Sequence, residues 1–194
     1  MHEESVSDQY IWKRLFGPEH IRTFALSWIV ILQVSLLLVL VKAYMRVPLH
    51  IPGHSALYML PILILGKLGA RWKYSGTGIG LTSGVFAVGF GIMGGPLLAF
   101  SRLLIMGVMV DVVFARSDYL SLLPFLLCGA LANVTKVLVG WTVASAVGIP
   151  VFFIQAGMTF SVTTHIFFGV LGGLAAFGVA RASAGVKRRL APGR

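Results

Sequence analysis

The sequence predicts an all-α integral membrane protein, a six-transmembrane-helix bundle with both termini in the cytoplasm. Three observations carry that expectation. Hydrophobic residues make up 57% of the 194 and charged residues only 11%, a balance too apolar for a soluble domain of this size. Several windows of about twenty residues hold almost no charge, enough to cross a hydrocarbon core of about 30 Å as a helix. The basic residues gather at the ends of those windows, mostly on one side of the resulting topology.

Residues 1–22 form a segment of their own. Tyr10, Ile11, Trp12, Leu15 and Phe16 interleave with Lys13 and Arg14, the pattern of a short amphipathic helix on the inner leaflet, which Gly17-Pro18 would end. Glu3, Glu4 and Asp8 stand where a signal peptide carries basic residues, so the first apolar stretch reads as a retained helix. The membrane domain runs over 23–181, with spans at 23–42, 54–70, 75–92, 96–114, 119–145 and 160–181. Span two is short and reads as tilted or starting in the interface. Span three carries Gly76, Gly80 and Gly84 at one-turn spacing, and span six carries Gly169 and Gly173. Such small residues let helix backbones approach closely, so both helices should pack inside the bundle. Residues 182–194 make a basic cytoplasmic tail.

Twelve of the sixteen Lys and Arg, from Lys13 to Arg194, fall on one side of this topology. Lys42 and Arg46 fall on the other, and the positive-inside rule makes the richer side cytoplasmic. The expected location is therefore the inner (cytoplasmic) membrane, with several passes. The net charge of +10 flanks apolar segments, which the membrane explains better than nucleic acid does. Cys128, the single cysteine, lies in an apolar run and reads as a packing residue.

Arg102 and Lys136 lie inside apolar spans with no acidic residue near in sequence. A charge at the bilayer centre costs at least ~2.5–3.5 kcal/mol and is normally turned toward protein or a cavity. Counting helical rise from the outer boundary puts His165 roughly 6 Å down, Arg102 roughly 9 Å, Lys136 about 12 Å and Asn133 about 16 Å. Four polar groups from three helices thus fall in the outer third. Gly129, Asn133, Lys136 and Gly140 follow a 4-3-4 spacing, one small and polar stripe that should face protein. Asp111 is half a turn out of phase with Arg102 and should instead meet Arg71 or Lys73 at the cytoplasmic boundary.

Two outer connections lie above this level. Residues 43–54 contain Pro48 and Pro52, which keep the chain extended, and 146–159 is apolar but broken by Gly148, Pro150 and Gly157. Both read as lids over a cavity or as interfacial segments, with His54 and Gln155 supplying polar side chains. The substrate-binding set is then Arg102, Asn133, Lys136, His165, His54 and Gln155. A competing set of His50, His54 and His165, with Met45, could supply imidazole and thioether ligands to nickel, cobalt or copper. Motifs for hydrolytic chemistry are absent, as is any nucleotide-binding motif, so no enzyme activity and no bound cofactor are expected of this chain.

The run VPLHIPGHSALYMLPILILGKLGARW, followed by GTGIGLTSGVFAVGFGIMGGPLLAFSRLLIMGVMVD, places an extended Pro/Gly loop, a helix, a glycine-rich helix and a Gly-Gly-Pro helix start in succession. It resembles the S component of energy-coupling factor (ECF) transporters, prokaryotic uptake systems for vitamins and metals, with some likeness to their cobalt/nickel branch. The resemblance implies a substrate-binding subunit for a micronutrient or vitamin-like solute under loop lids, and Arg102 and Lys136 would hold the negative group of a small anionic solute. It also implies a transmembrane coupling protein and cytoplasmic ABC-type ATPases as partners, with ATP consumed by those partners. Competing readings are a cobalt/nickel uptake subunit, a non-transporting membrane anchor, and an intramembrane enzyme clamping lipid phosphates with His165 as its one acid–base group.

Overall fold

The computed structural model describes residues 18–45, 51–70, 72–92, 95–117, 121–146, 148 and 157–190. The expected surface helix before residue 18, His50, Arg71, Gln155 and the last four residues lie outside the described residues. Six helices account for nearly all of the rest: α1 Pro18–Tyr44, α2 Ala56–Gly69, α3 Ser75–Gly89, α4 Pro96–Phe114, α5 Leu122–Ala146 and α6 Met158–Leu190. No strand occurs among the described residues.

Four of the six, α1, α4, α5 and α6, contain stretches long and apolar enough to cross a membrane. The other two are shorter. The 14 residues of α2 and 15 of α3 extend about 21 Å and about 22 Å at the usual helical rise. Both fall short of a hydrocarbon core of about 30 Å. Local backbone chemistry sets these limits. Residues 51–55 form a turn in which Gly53 takes φ +86°, so α2 starts at Ala56 and not at residue 54. Beyond α3, Gly91 takes φ +64° and closes the helix before residue 92.

α2 is the hub. It packs against all five other helices and buries Met59, Leu60, Leu63 and Ile64 among them. Around it, α3 pairs with α4, and α5 pairs with α6. Both pairs are close contacts between glycines. A Cβ on Gly80 would fall 2.5 Å from the Leu103 carbonyl oxygen, and Gly107 lies directly on the Gly76 backbone. Gly129 faces Gly169 in the same way, and Gly173 faces the backbone of Phe125. With no lipid-excluding hydrophobic drive inside a bilayer, such approaches supply the dispersion contact that holds helices together.

One end of the bundle is locked by charge. Lys67 and Asp111 form an ion pair of 2.7 Å, with side chains 6% and 8% exposed. Asp111 also accepts hydrogen bonds from the Gly76 and Thr77 amides at 3.0 and 2.6 Å. It therefore caps the N-terminus of α3, where unpaired amides and the helix dipole favour an anion. Among the described residues the partner is thus Lys67 and not the expected Lys73, while Arg71 lies outside the described residues. The link between α2 and α3 is so short that Lys67 also donates to the Lys73 carbonyl. The Lys73 side chain is exposed, its ammonium 4.5 Å from the Tyr74 ring centre. Phe114, Phe125 and Phe177 stack edge to face nearby, with centroids 5.2 and 5.4 Å apart. Phe24 and Trp28 of α1 meet Trp72 here, so the chain enters the bundle at this end.

Candidate functional site: a cationic cavity

At the opposite end, α1, α4, α5 and α6 enclose a cavity of about 530 Å³. Lys42 enters from α1, Arg102 from α4, Lys136 from α5 and His165 from α6. Ser55 and Ser161 add hydroxyls, while Leu103, Met106, Val137, Trp141 and Met158 form apolar wall. Among the described residues no acidic side chain lines it. The described residues include two, Glu19 at the start of α1 and Asp111, which is already paired with Lys67.

Arg102 lies two turns into α4, beside Leu103 and Met106. Its guanidinium crosses α5 at Gly140, where a Cβ would fall 2.7 Å from Nη2. The Nε atom is buried and has no hydrogen-bond partner among the described residues. A buried guanidinium N–H left unpaired is costly, and such groups normally meet a ligand or an ordered water.

Lys136 belongs to the stripe Gly129, Asn133, Lys136 and Gly140. The structure divides that stripe into two functions. Its lower half packs, with Gly129 on Gly169 and Asn133 fully buried. Its upper half, Lys136 and Gly140, faces the cavity.

Charge counting groups Lys42 with Arg46 on the outer side, and the structure places it in the lining of the cavity. A signal for it existed. Ile31, Ser35, Leu38 and Lys42 repeat the same 4-3-4 spacing, and the first three are buried. The Ser35 hydroxyl donates to the Ile79 carbonyl at 3.1 Å, marking this as the protein-facing side of α1. Lys42, Arg102 and Lys136 thus reach one cavity from three separate helices.

His165 donates from Nδ1 to the Ser161 carbonyl at 2.7 Å. A carbonyl can only accept, so Nδ1 carries the proton and Nε2 remains for other partners. Against its backbone sits Gly53, where a Cβ would fall 2.9 Å from the His165 Cα. The turn before α2 is thereby pinned to α6.

Asn133 and His54 do not line the cavity. Asn133 Nδ2 donates to the carbonyls of His165, at 2.8 Å, and Gly53, at 3.4 Å, tying α5 to α6 and to the turn. His54 Nδ1 donates to the Ile51 carbonyl at 2.8 Å and closes that turn. For the metal alternative, no group of three His, Cys, Asp or Glu side chains among the described residues is placed to hold an ion. His54 and His165 each commit one ring nitrogen to a carbonyl. Of the two expected lids, Gly157 and Met158 line the cavity, whereas Gln155 falls outside the described residues.

Chemically, the cavity offers three positive donors, an imidazole, two hydroxyls and an apolar wall. That is the donor set of an anion-binding pocket. No protein-family model, curated protein or solved structure matches the chain.

Proposed function

We propose that this protein is the substrate-binding membrane subunit of an uptake transporter of the energy-coupling factor type, and that its solute is small and anionic. The observation that carries this reading is the convergence of Lys42, Arg102 and Lys136 on one cavity with no acidic neighbour among the described residues. Three unneutralised cations at membrane depth are expensive unless an anion visits them. In this reading all six helices lie in the membrane with both termini cytoplasmic, and the cavity opens outward. The short helix α2 fits such an arrangement because all five other helices pack against it. Charge-assisted hydrogen bonds in a dry pocket select strongly against neutral analogues. The Pro/Gly run before α2 and the Gly-Gly-Pro start of α4 support the family assignment. ATP would be hydrolysed by partner ATPases working through a coupling protein.

Native mass spectrometry of protein purified in mild detergent tests the reading. Wild type should carry a small acidic molecule that is released on unfolding, and Lys136→Ala should lack it while remaining folded. An empty wild type, or equal adducts on both proteins, overturns the reading.

A further inference from the structure

The number of cations around the cavity constrains the charge of what binds there. Lys42, Arg102 and Lys136 come from three separate helices, and a monoanion would leave two of them without a counterion. Asp111 cannot serve, being buried at the other end against Lys67 and the start of α3. Arg102 Nε is buried and has no partner among the described residues, so the guanidinium presents an unused donor beside two ammonium groups. A planar guanidinium matches the paired oxygens of a phosphate, and an ammonium serves as a point charge to a third oxygen. The rest of the lining is of another kind. Leu103, Met106, Val137, Trp141 and Met158 are apolar, and the volume of about 530 Å³ exceeds what a bare oxyanion fills.

We propose that the ligand is a compact dianion of the phosphate-monoester type attached to an apolar or aromatic body, its head held by Lys42, Arg102 and Lys136 and its body against Trp141 and Met106. This rests on the reading of the cavity as an anion site and adds the charge and shape of the anion. The same head group occurs on soluble phosphate esters and on phosphatidic acid, so the test separates the two sources.

Isothermal titration calorimetry at pH 8 uses two probes that share one body. Phenyl phosphate is a dianion there, because its second ionisation lies near pH 6, and methyl phenyl phosphate is a monoanion. Wild type should bind phenyl phosphate at least about tenfold more tightly, the scale of one additional charge-assisted contact. In Lys42→Gln that preference should fall below about threefold. Equal affinity of wild type for the two probes overturns the dianion proposal and leaves the anion cavity standing. Binding of neither probe removes both, unless the protein retains phosphatidic acid over phosphatidylglycerol in native mass spectra. That last result keeps the dianion, assigns it to a lipid, and overturns uptake of a soluble compound.

Discussion

The guanidinium of Arg102 rests on Gly140, one helix across, at a point where even a methyl group would fall 2.7 Å from Nη2. The glycine gives the arginine its place in the cavity. Because the obstructed atom is the far end of a flexible side chain, Gly140→Ala should displace the guanidinium and leave the helices where they are. The expected outcome is a phenyl phosphate affinity reduced about tenfold, the scale of one lost charge-assisted hydrogen bond. Thermal stability should stay close to wild type. Gly178→Ala, on α6 with nothing within 4 Å of its added carbon, serves as the neutral comparison. Calorimetry and thermal unfolding of the three proteins check this directly.

The Lys67–Asp111 pair makes opposite demands on the two residues. Lys67→Met removes one charge and leaves Asp111 with two amide donors. Asp111→Ala strips the α3 N-terminus of its acceptor and leaves a buried ammonium unpaired, a defect of ~3–5 kcal/mol in soluble proteins. Asp111→Ala should therefore lower the unfolding temperature more than Lys67→Met. The pair lies at the end of the bundle away from the cavity, so phenyl phosphate affinity should change little in whichever variant remains folded. Equal destabilisation by the two substitutions would show that the α3 cap contributes nothing.

Gly129 and Gly169 meet backbone to backbone, so a side chain on either has nowhere to go except into the opposing helix. Gly129→Val should separate α5 from α6 and destabilise the bundle by ~1–3 kcal/mol, the usual cost of overpacking. The measurement is the loss of monodisperse protein on gel filtration with temperature. Gly178→Ala again provides the unobstructed comparison.

Asn133 ties α5 to α6 and to the turn before α2 through its Nδ2. Asn133→Leu should free the turn at Gly53–Ser55 from α6, read as faster amide hydrogen exchange there. Its effect on phenyl phosphate affinity should be smaller than that of Lys136→Ala. The reverse order would return Asn133 to the binding surface.

Much of the helical layout could be read from the chain because apolar windows and glycine spacing are local properties. What hydropathy does not register is where a turn cuts into a window. The left-handed glycines at 53 and 91 shorten α2 and α3, and among the described residues four helices have the length and apolarity to span. A lysine near a proline-rich loop resembles a boundary charge, which hides the inward turn of Lys42 from hydropathy. The stripe through Ile31, Ser35 and Leu38 that turns it inward shows only when α1 is read as a face. Asp111 had the correct exclusion, since it cannot reach Arg102. Its partner depends on the tightness of the α2–α3 link, which no pairwise spacing reveals. For Asn133, amide chemistry alone does not distinguish a strut between helices from a ligand contact.

The account turns on whether Lys136 and its neighbours bind a small anion. Thermal unfolding of the detergent-purified protein across a panel of phosphate esters and carboxylates, run in parallel on wild type and Lys136→Ala, measures that most directly. At least one anion should raise the wild-type midpoint and leave the variant unmoved. If every anion shifts both proteins equally, or shifts neither, the cavity is not an anion site.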